Sequence, residues 1–242
     1  MRYGIFSDIH SNLEALEAVI KAYQKEKIDK YLCIGDVVGY GANPNECVEI
    51  TGNLAALTVV GNHDWAALGL FSTELFNQEA KAAILWTSQQ LSDASKDFLL
   101  TLKLVCERDD FVLVHGSLND PQNFNYLQKT SNCQATFQLM GADICFVGHT
   151  HVPVVFVKDQ QAKIHYEDTS KIKIEPGSKY IINVGSVGQP RDSIPDAAYC
   201  IWDTEKREVE IKRERYNVFA ARQKIIDKGL PDFLGNRLLT GN

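Results

Sequence analysis

A chain of 242 residues with a formal net charge of −6 lacks the basic balance that broad, sequence-independent nucleic-acid binding needs. Its hydrophobic fraction of 45% and charged fraction of 23% are those of an ordinary globular protein, and its length allows a core that needs no disulfide staple. No apolar run approaches the ~20 residues of a membrane-spanning helix, and the opening Met1-Arg2-Tyr3-Gly4-Ile5-Phe6 lacks a signal-peptide pattern.

Six short apolar runs rich in Val and Ile, at 3–6, 31–34, 57–60, 111–114, 144–147 and 181–184, read as buried strands. Each runs directly into a polar or glycine-rich motif. Between the first two, Asn12 is a candidate N-cap for a helix carrying Leu13, Leu16, Val19, Ile20 and Tyr23 at helical spacing. This β-α-β opening predicts a layered α/β fold with its chemistry at the carboxyl ends of the strands. A second short helix is expected from Pro44 or Asn45.

Residues 65–103 read as a helical insert. Asn77 would cap one helix, with Phe76, Ala80, Ala83, Ile84, Trp86 and Leu91 on its apolar side, and Ser92 or Ser95 a shorter one reaching Leu102. The insert is either a wall over the site or a layer packed on the sheet. The stretch 152–213 alternates as antiparallel strands do, with candidates at 154–157, 163–166, 171–174, 199–202 and 209–212. A C-terminal helical tail is expected over 217–239, broken at Gly229-Leu230-Pro231, and the whole of 1–242 is expected to form one domain. The six cysteines, Cys33, Cys47, Cys106, Cys133, Cys145 and Cys200, form no CxxC pair and lie mostly in apolar runs. They are expected as reduced core thiols, which points to a cytoplasmic protein.

Five of the six histidines fall in the motifs that follow the strands: Asp8-Ile9-His10, Gly61-Asn62-His63-Asp64, His115-Gly116 and Gly148-His149-Thr150-His151, with Gly35-Asp36 supplying a further carboxylate. Carboxylate, amide oxygen and imidazole are the donors that first-row divalent ions take. Asp8 and His10, two apart, would share one ion if that segment were extended, whereas His149 and His151 could reach two neighbouring ions. Each piece alone has a plainer reading: Gly35-Asp36 and Gly61-Asn62 as turns, His115 as a hydrogen-bonded interior histidine. It is their joint occurrence after strands that points to a metal centre.

The ordered set D-x-H, G-D, G-N-H-D, H and G-H-x-H resembles the signature of the calcineurin-like metallophosphoesterase superfamily, spread here over Asp8 to His151. The resemblance implies a four-layer α/β/β/α sandwich and two metal ions. One would be held by Asp8, His10, Asp36 and His151, the other by Asp36, Asn62, His115 and His149. Manganese is the first choice, with iron, zinc, cobalt or nickel as alternatives. The reaction implied is in-line displacement at phosphorus by a hydroxide bridging the ions, with His63 acting near the leaving group and Asp64 as a candidate to orient it. His63 as a structural histidine is the plainer alternative.

One departure separates this chain from the protein Ser/Thr phosphatase branch, which reads G-D-x-V-D-R-G. Here Gly39 replaces the aspartate that orients the histidine there, and Tyr40 replaces the phosphate-gripping arginine. The run Gly39-Tyr40-Gly41 with Pro44 and Glu46-Cys47, and the loop from Asn183 through Asp192, resemble a small prokaryotic phosphoesterase branch. In that loop Arg191 is a candidate phosphate contact, or else a partner of Asp192. Asn12 is an N-cap first and a phosphate contact second.

The expected function is therefore a metal-dependent phosphoesterase, with a phosphodiesterase favoured because no dedicated arginine pair for a monoester is visible. Hydrolysis of diadenosine polyphosphates or other nucleotides is a competing reading, and phosphomonoester or protein dephosphorylation a weaker one. A scaffold with a retained metal site is the non-enzymatic alternative; the retromer subunit of this fold has a degenerate site, whereas all seven ligand positions are present here. The expected partner is a small phosphate ester or nucleotide, its specificity set by 65–103 and the loops near 117–130 and 186–196.

Overall fold

The computed structural model describes every residue except Ala55, and Leu75 only by its backbone. In chain order the strands are β1 (Arg2–Phe6), β2 (Lys30–Cys33), β3 (Leu57–Thr58), β4 (Val105–Glu107), β5 (Val112–Val114), β6 (Ile144–Val147), β7 (Val154–Lys158), β8 (Ile164–Glu167), β9 (Lys171–Lys173), β10 (Lys179–Asn183), β11 (Ala197–Asp203) and β12 (Glu208–Glu214). The helices are α1 (Leu13–Gln24), α2 (Pro44–Asn53), α3 (Asn62–Ala67), α4 (Gln78–Gln90), α5 (Asp93–Leu100), α6 (Thr130–Leu139), α7 (Val218–Asp227) and α8 (Asp232–Asn236).

The strands form two six-stranded sheets, ordered β3-β2-β1-β11-β12-β9 and β4-β5-β6-β10-β7-β8. Each has a parallel part, β1 with β2 and β3 in one and β5 with β6 and β10 in the other, extended by antiparallel strands. The layering follows from the period-2 alternation of the strands. Tyr3 and Ile5 of β1, Leu113 of β5, Phe146 of β6 and Trp202 of β11 meet in one buried cluster between the sheets. Phe6 and Cys33, of the opposite parity, pack with Leu16, Val19 and Tyr23 of α1 and Cys47 and Val48 of α2. Val112, Cys145 and Ile181 on the other sheet meet Cys133 and Phe137 of α6. The result is the four-layer α/β/β/α sandwich. All six cysteines are buried and unpaired.

Helix starts agree with the expected caps at Asn12, Asn77 and Ser92, whose side chains accept from the main-chain N–H three residues on, and Asn217 caps α7 in the same way. In the 65–103 insert, Leu91 and Leu99 pack with Phe6 and Cys33 of the first sheet. α4 packs through Ala80 and Ala83 against a cluster that includes Tyr40 and, from the tail, Ile225, Leu234 and Leu238, while Phe76 just before α4 stacks on His63. Three elements were not foreseen. β4 is a three-residue edge strand, and α6 starts after Lys129 without a side-chain cap. The third is the short helix α3, which starts from Gly61-Asn62, a pair readable as a turn.

Candidate metal centre

The parallel strands of both sheets deliver their carboxyl ends to one place. Asp8 and His10 follow β1, Asp36 follows β2, Asn62 and His63 open α3 after β3, His115 follows β5, and His149 and His151 follow β6. All eight are buried. Asp8, His10 and His151 form one set of mutually close donor atoms, Asp36, His115 and His149 a second, and His10, Asp36 and His63 a third.

Five of these residues, Asp8, His10, Asp36, His149 and His151, have left-handed backbone, with φ between 49° and 68°. This changes the expected route by which Asp8 and His10 converge: they do so on a strained loop past the end of β1, not on an extended segment. Side chains other than glycine adopt that conformation at a cost, and they do so mostly where a site demands it. Main-chain hydrogen bonds hold the loops in place. The amide of Asp8 donates to the carbonyl of Gly35 (3.0 Å), that of His10 to Asp36 (3.0 Å) and that of Gly188 to Asp8 (2.9 Å).

Each carboxylate is fixed on one side. Asp36 Oδ1 accepts from the main-chain amide of His63 (2.8 Å), and Asp8 accepts from that of His149 (3.1 and 3.2 Å). Three imidazoles are likewise oriented from behind. Nδ1 faces the carbonyl of Val38 in His10 (3.2 Å), of Ile34 in His115 (2.6 Å) and of Gln189 in His151 (2.5 Å). A neutral ring whose Nδ1 donates leaves a lone pair on Nε2. Those Nε2 atoms and the carboxylate oxygens crowd together: His10 to His151 3.0 Å, His115 to Asp36 Oδ2 3.2 Å, His151 to Asp8 Oδ1 3.2 Å, His10 to Asp36 Oδ2 3.6 Å.

Asp36 Oδ2, Asn62 Oδ1 and His115 Nε2 are buried with no hydrogen-bond partner among the described residues. The first and last are close but misaligned, as two donors aimed at a common point would be. Buried polar atoms are rarely left so. Oxygen and imidazole donors with edges of this length fit divalent ions of the first transition row.

The electrostatics agree. Burial alone would raise the carboxyl groups of Asp8 and Asp36, yet His151 and His115 hold them below their usual range. Burial pulls His10 and His149 well down. His115 is also penalised by burial, but Asp36 and Asp8 lift it to about 9. His63 is pushed down to about 4, chiefly by burial, so its ring is neutral at pH 7.

A family model described as the calcineurin-like phosphoesterase superfamily domain matches residues 1–207. The chain belongs to that superfamily. It is 42% identical over 242 residues to the uncharacterized protein MJ0912 of Methanocaldococcus jannaschii, covering 98% of this chain and 97% of that one. It is similar in structure to a metallophosphoesterase from Sphaerobacter thermophilus, at 36% identity and a TM-score of 0.88 over 100% and 99% of the two chains. The hypothetical protein PH1004 of Pyrococcus horikoshii OT3 shares the fold at 20% identity, with a TM-score of 0.80 over 100% and 98%.

Within this superfamily the Gly39-Tyr40 departure has a clear structural meaning. A Cβ at Gly39, where φ is +106°, would lie 2.6 Å from His63 Nδ1. The glycine lets the His63 ring pack directly on the backbone, between Tyr40 (4.4 Å between centroids), His10 (4.8 Å) and Phe76 (4.9 Å). Asp64 does not orient it. The Asp64 carboxylate accepts from the amides of Val38 (3.1 Å) and Gly61 (3.0 Å), tying the β2 loop to the start of α3, and burial with the nearby Asp36 charge raises it to about 7.

Arg191 is not paired with Asp192, which bonds Arg213 instead. Its guanidinium donates to the Tyr40 hydroxyl (3.2 Å) and to Gln189 Oε1 (2.9 Å), and its charge bears on His10, His63 and His151. A cation from the loop after β10 thus stands beside Tyr40. Asn12 is committed elsewhere: its Oδ1 caps α1 and its Nδ2 donates to the Gly188 carbonyl (2.8 Å) and to Tyr216 (3.3 Å). One residue beside the centre had no signal in the sequence. Tyr126 stacks on His149, with ring centroids 4.0 Å apart and planes within 12°.

Proposed function

We propose that this chain is a dinuclear-metal-dependent phosphoesterase that acts on phosphodiesters. The observation that supports the reading is the close gathering of imidazole nitrogens with carboxylate oxygens in three overlapping sets, beside the unpartnered Asp36 Oδ2, Asn62 Oδ1 and His115 Nε2. Asp8, His10 and His151 would hold one ion, Asn62, His115 and His149 the other, and Asp36 would bridge them. Divalent ions bound there, manganese first among the candidates, supply Lewis acidity and an acidified water.

The chain's own groups do the rest. Asp36 is fixed by the His63 amide, so its free oxygen is aimed before any ligand arrives. The His63 ring is neutral and tightly packed, which suits it to donate a hydrogen bond to the leaving oxygen. Arg191, supported by Tyr40 and Gln189, offers its positive charge to a non-bridging phosphoryl oxygen. A single guanidinium already shared with two neutral partners suits a diester monoanion better than a monoester dianion. Residues 1–242 act as one domain in this reading, with the insert and the tail bracing Tyr40 and His63. No helix is long and apolar enough to cross a membrane, and the six unpaired cysteines fit a reducing compartment.

The test is hydrolysis of bis-p-nitrophenyl phosphate beside p-nitrophenyl phosphate, using chelator-stripped protein with and without added Mn²⁺. Metal-dependent turnover favouring the diester is expected. Preference for the monoester moves the assignment to a phosphatase, and no turnover by protein holding two ions defeats the enzymatic reading.

A further inference from the structure

One flank of the centre is aromatic. Phe124 sits edge-on to His115 (6.0 Å) and to Phe71 (5.3 Å) and Trp65 (5.5 Å), and Phe71 continues to Phe76 (6.2 Å). Two residues after the buried Phe124, Tyr126 lies flat on His149 yet is 47% exposed. A lone exposed tyrosine is ordinary; one stacked by one face on a group at the heart of the centre and open on the other is not.

The loop that carries it is built for this position. Phe124 and Asp120 both have left-handed backbone, at φ 49° and 52°. The loop lies so close to the end of β5 that a Cβ on Gly116 would come within 2.9 Å of the Asn125 carbonyl oxygen and the Phe124 backbone. Strain of this kind in a non-glycine loop is typical of ligand clamps. The Tyr126 hydroxyl makes no hydrogen bond among the described residues. The residues that follow in the two stacked segments, Leu127 and Thr150, line an apolar cleft of about 550 Å³ with Val154 and Phe156.

We propose that the open face of Tyr126 is a stacking platform for a planar ring, aryl or nucleobase, on the non-leaving side of the phosphodiester. This rests on the phosphodiesterase reading. An aromatic face recognises any flat π-system without hydrogen-bond selection, and loss of one such stack costs on the order of tenfold in affinity.

Three esters with the same leaving group test it on Mn²⁺-loaded protein: the p-nitrophenyl esters of methyl phosphate, phenyl phosphate and thymidine 5′-phosphate. Tyr126→Ala is expected to lose about tenfold in kcat/KM, mainly through KM, on the phenyl and thymidine esters. It should stay within about twofold on the methyl ester, with its metal content unchanged. Tyr126→Phe should behave as the parent. Loss confined to the phenyl or to the thymidine ester names the ring class. An equal loss on all three, a drop in bound metal, or no loss at all overturns the proposal, the first two leaving Tyr126 as a prop for His149. If the parent hydrolyses none of the three, it is the phosphodiesterase reading that fails. The platform then stands or falls on calorimetric binding of thymidine 5′-phosphate against deoxyribose 5-phosphate. Tighter binding of the nucleotide that Tyr126→Ala abolishes supports it; equal binding overturns it.

Discussion

His10 Nε2 lies 3.0 Å from His151 Nε2, although Nδ1 of each ring already faces a main-chain carbonyl. Two lone pairs set that close repel unless a cation joins them. Two nitrogens about 2.1 Å from one ion, at right angles across it, stand about 3 Å apart. The carbonyls of Val38 and Gln189 thus hold both rings with Nε2 turned to the same point, as the proposed metal centre requires.

Asp36 ties the two halves of the centre together. Asp36→Asn keeps the shape and removes the charge. Even outer groups that merely orient a ligand are worth 10–100-fold in metal affinity, so a loss of at least about 100-fold is expected for both ions, read by metal analysis after dialysis. Retention of two ions at parent affinity would remove Asp36 from the bridging role.

His63 should matter for turnover and not for metal. His63→Ala is expected to slow kcat by roughly 10²–10³-fold, the usual worth of one positioned hydrogen-bond donor to a developing oxyanion, while metal content stays near two per chain. Because His10, Asp36 and His63 also form a mutually close set, loss of an ion in this variant would make His63 a ligand.

Gly39→Ala perturbs the same histidine without replacing it. The added Cβ meets His63 Nδ1 at 2.6 Å, on a backbone with φ +106°. A destabilisation of about 1–3 kcal/mol is expected, together with a fall in kcat larger than any change in KM. A variant that matches the parent in melting temperature and kcat would show that the His63 ring has room to move.

Stability of the chelator-stripped protein should depend on pH with a definite sign. His115 is raised from 6.5 to about 9 on folding, so its stabilising contribution is complete below pH 6.5 and is lost as pH rises through 9. Asp64, raised from 3.8 to about 7, acts with the same sign at lower pH. His10, His63, His149 and His151 are shifted down, so their opposite contribution is nearly complete about one pH unit above their ordinary 6.5. The melting temperature of the stripped protein should therefore fall between about pH 7.5 and 9. Saturating Mn²⁺ should reduce that fall, because the ion takes the lone pair the proton held. A flat or rising profile without metal would contradict the His115–Asp36 pairing.

The centre was legible in the sequence because the first donor of each motif follows an apolar run by one or two residues. Five of the six apolar runs position Asp8, Asp36, Asn62, His115 and His149 without knowledge of any loop. Less local features were hidden. The left-handed backbone of Asp8 and His10 is imposed by hydrogen bonds to Gly35, Asp36 and Gly188, distant in the chain. α6 carries Thr130-Ser131-Asn132-Cys133-Gln134 with no capping side chain, so neither period nor cap announces it. β4 is held by its pairing with β5 more than by its three residues. Asp64 reads as a neighbour of His63, but helical geometry at the start of α3 sends its side chain back to the Gly61 amide. Tyr126 depends on how Gly116 admits its loop, which no local pattern records.

The most direct test is a titration of Mn²⁺ into chelator-stripped protein, counting bound ions while following hydrolysis of bis-p-nitrophenyl phosphate. Activity should appear with metal, reach its plateau at two ions per chain and be absent from Asp36→Asn under the same conditions. Activity without metal, saturation at one ion, or two bound ions with no hydrolysis would contradict a dinuclear phosphodiesterase.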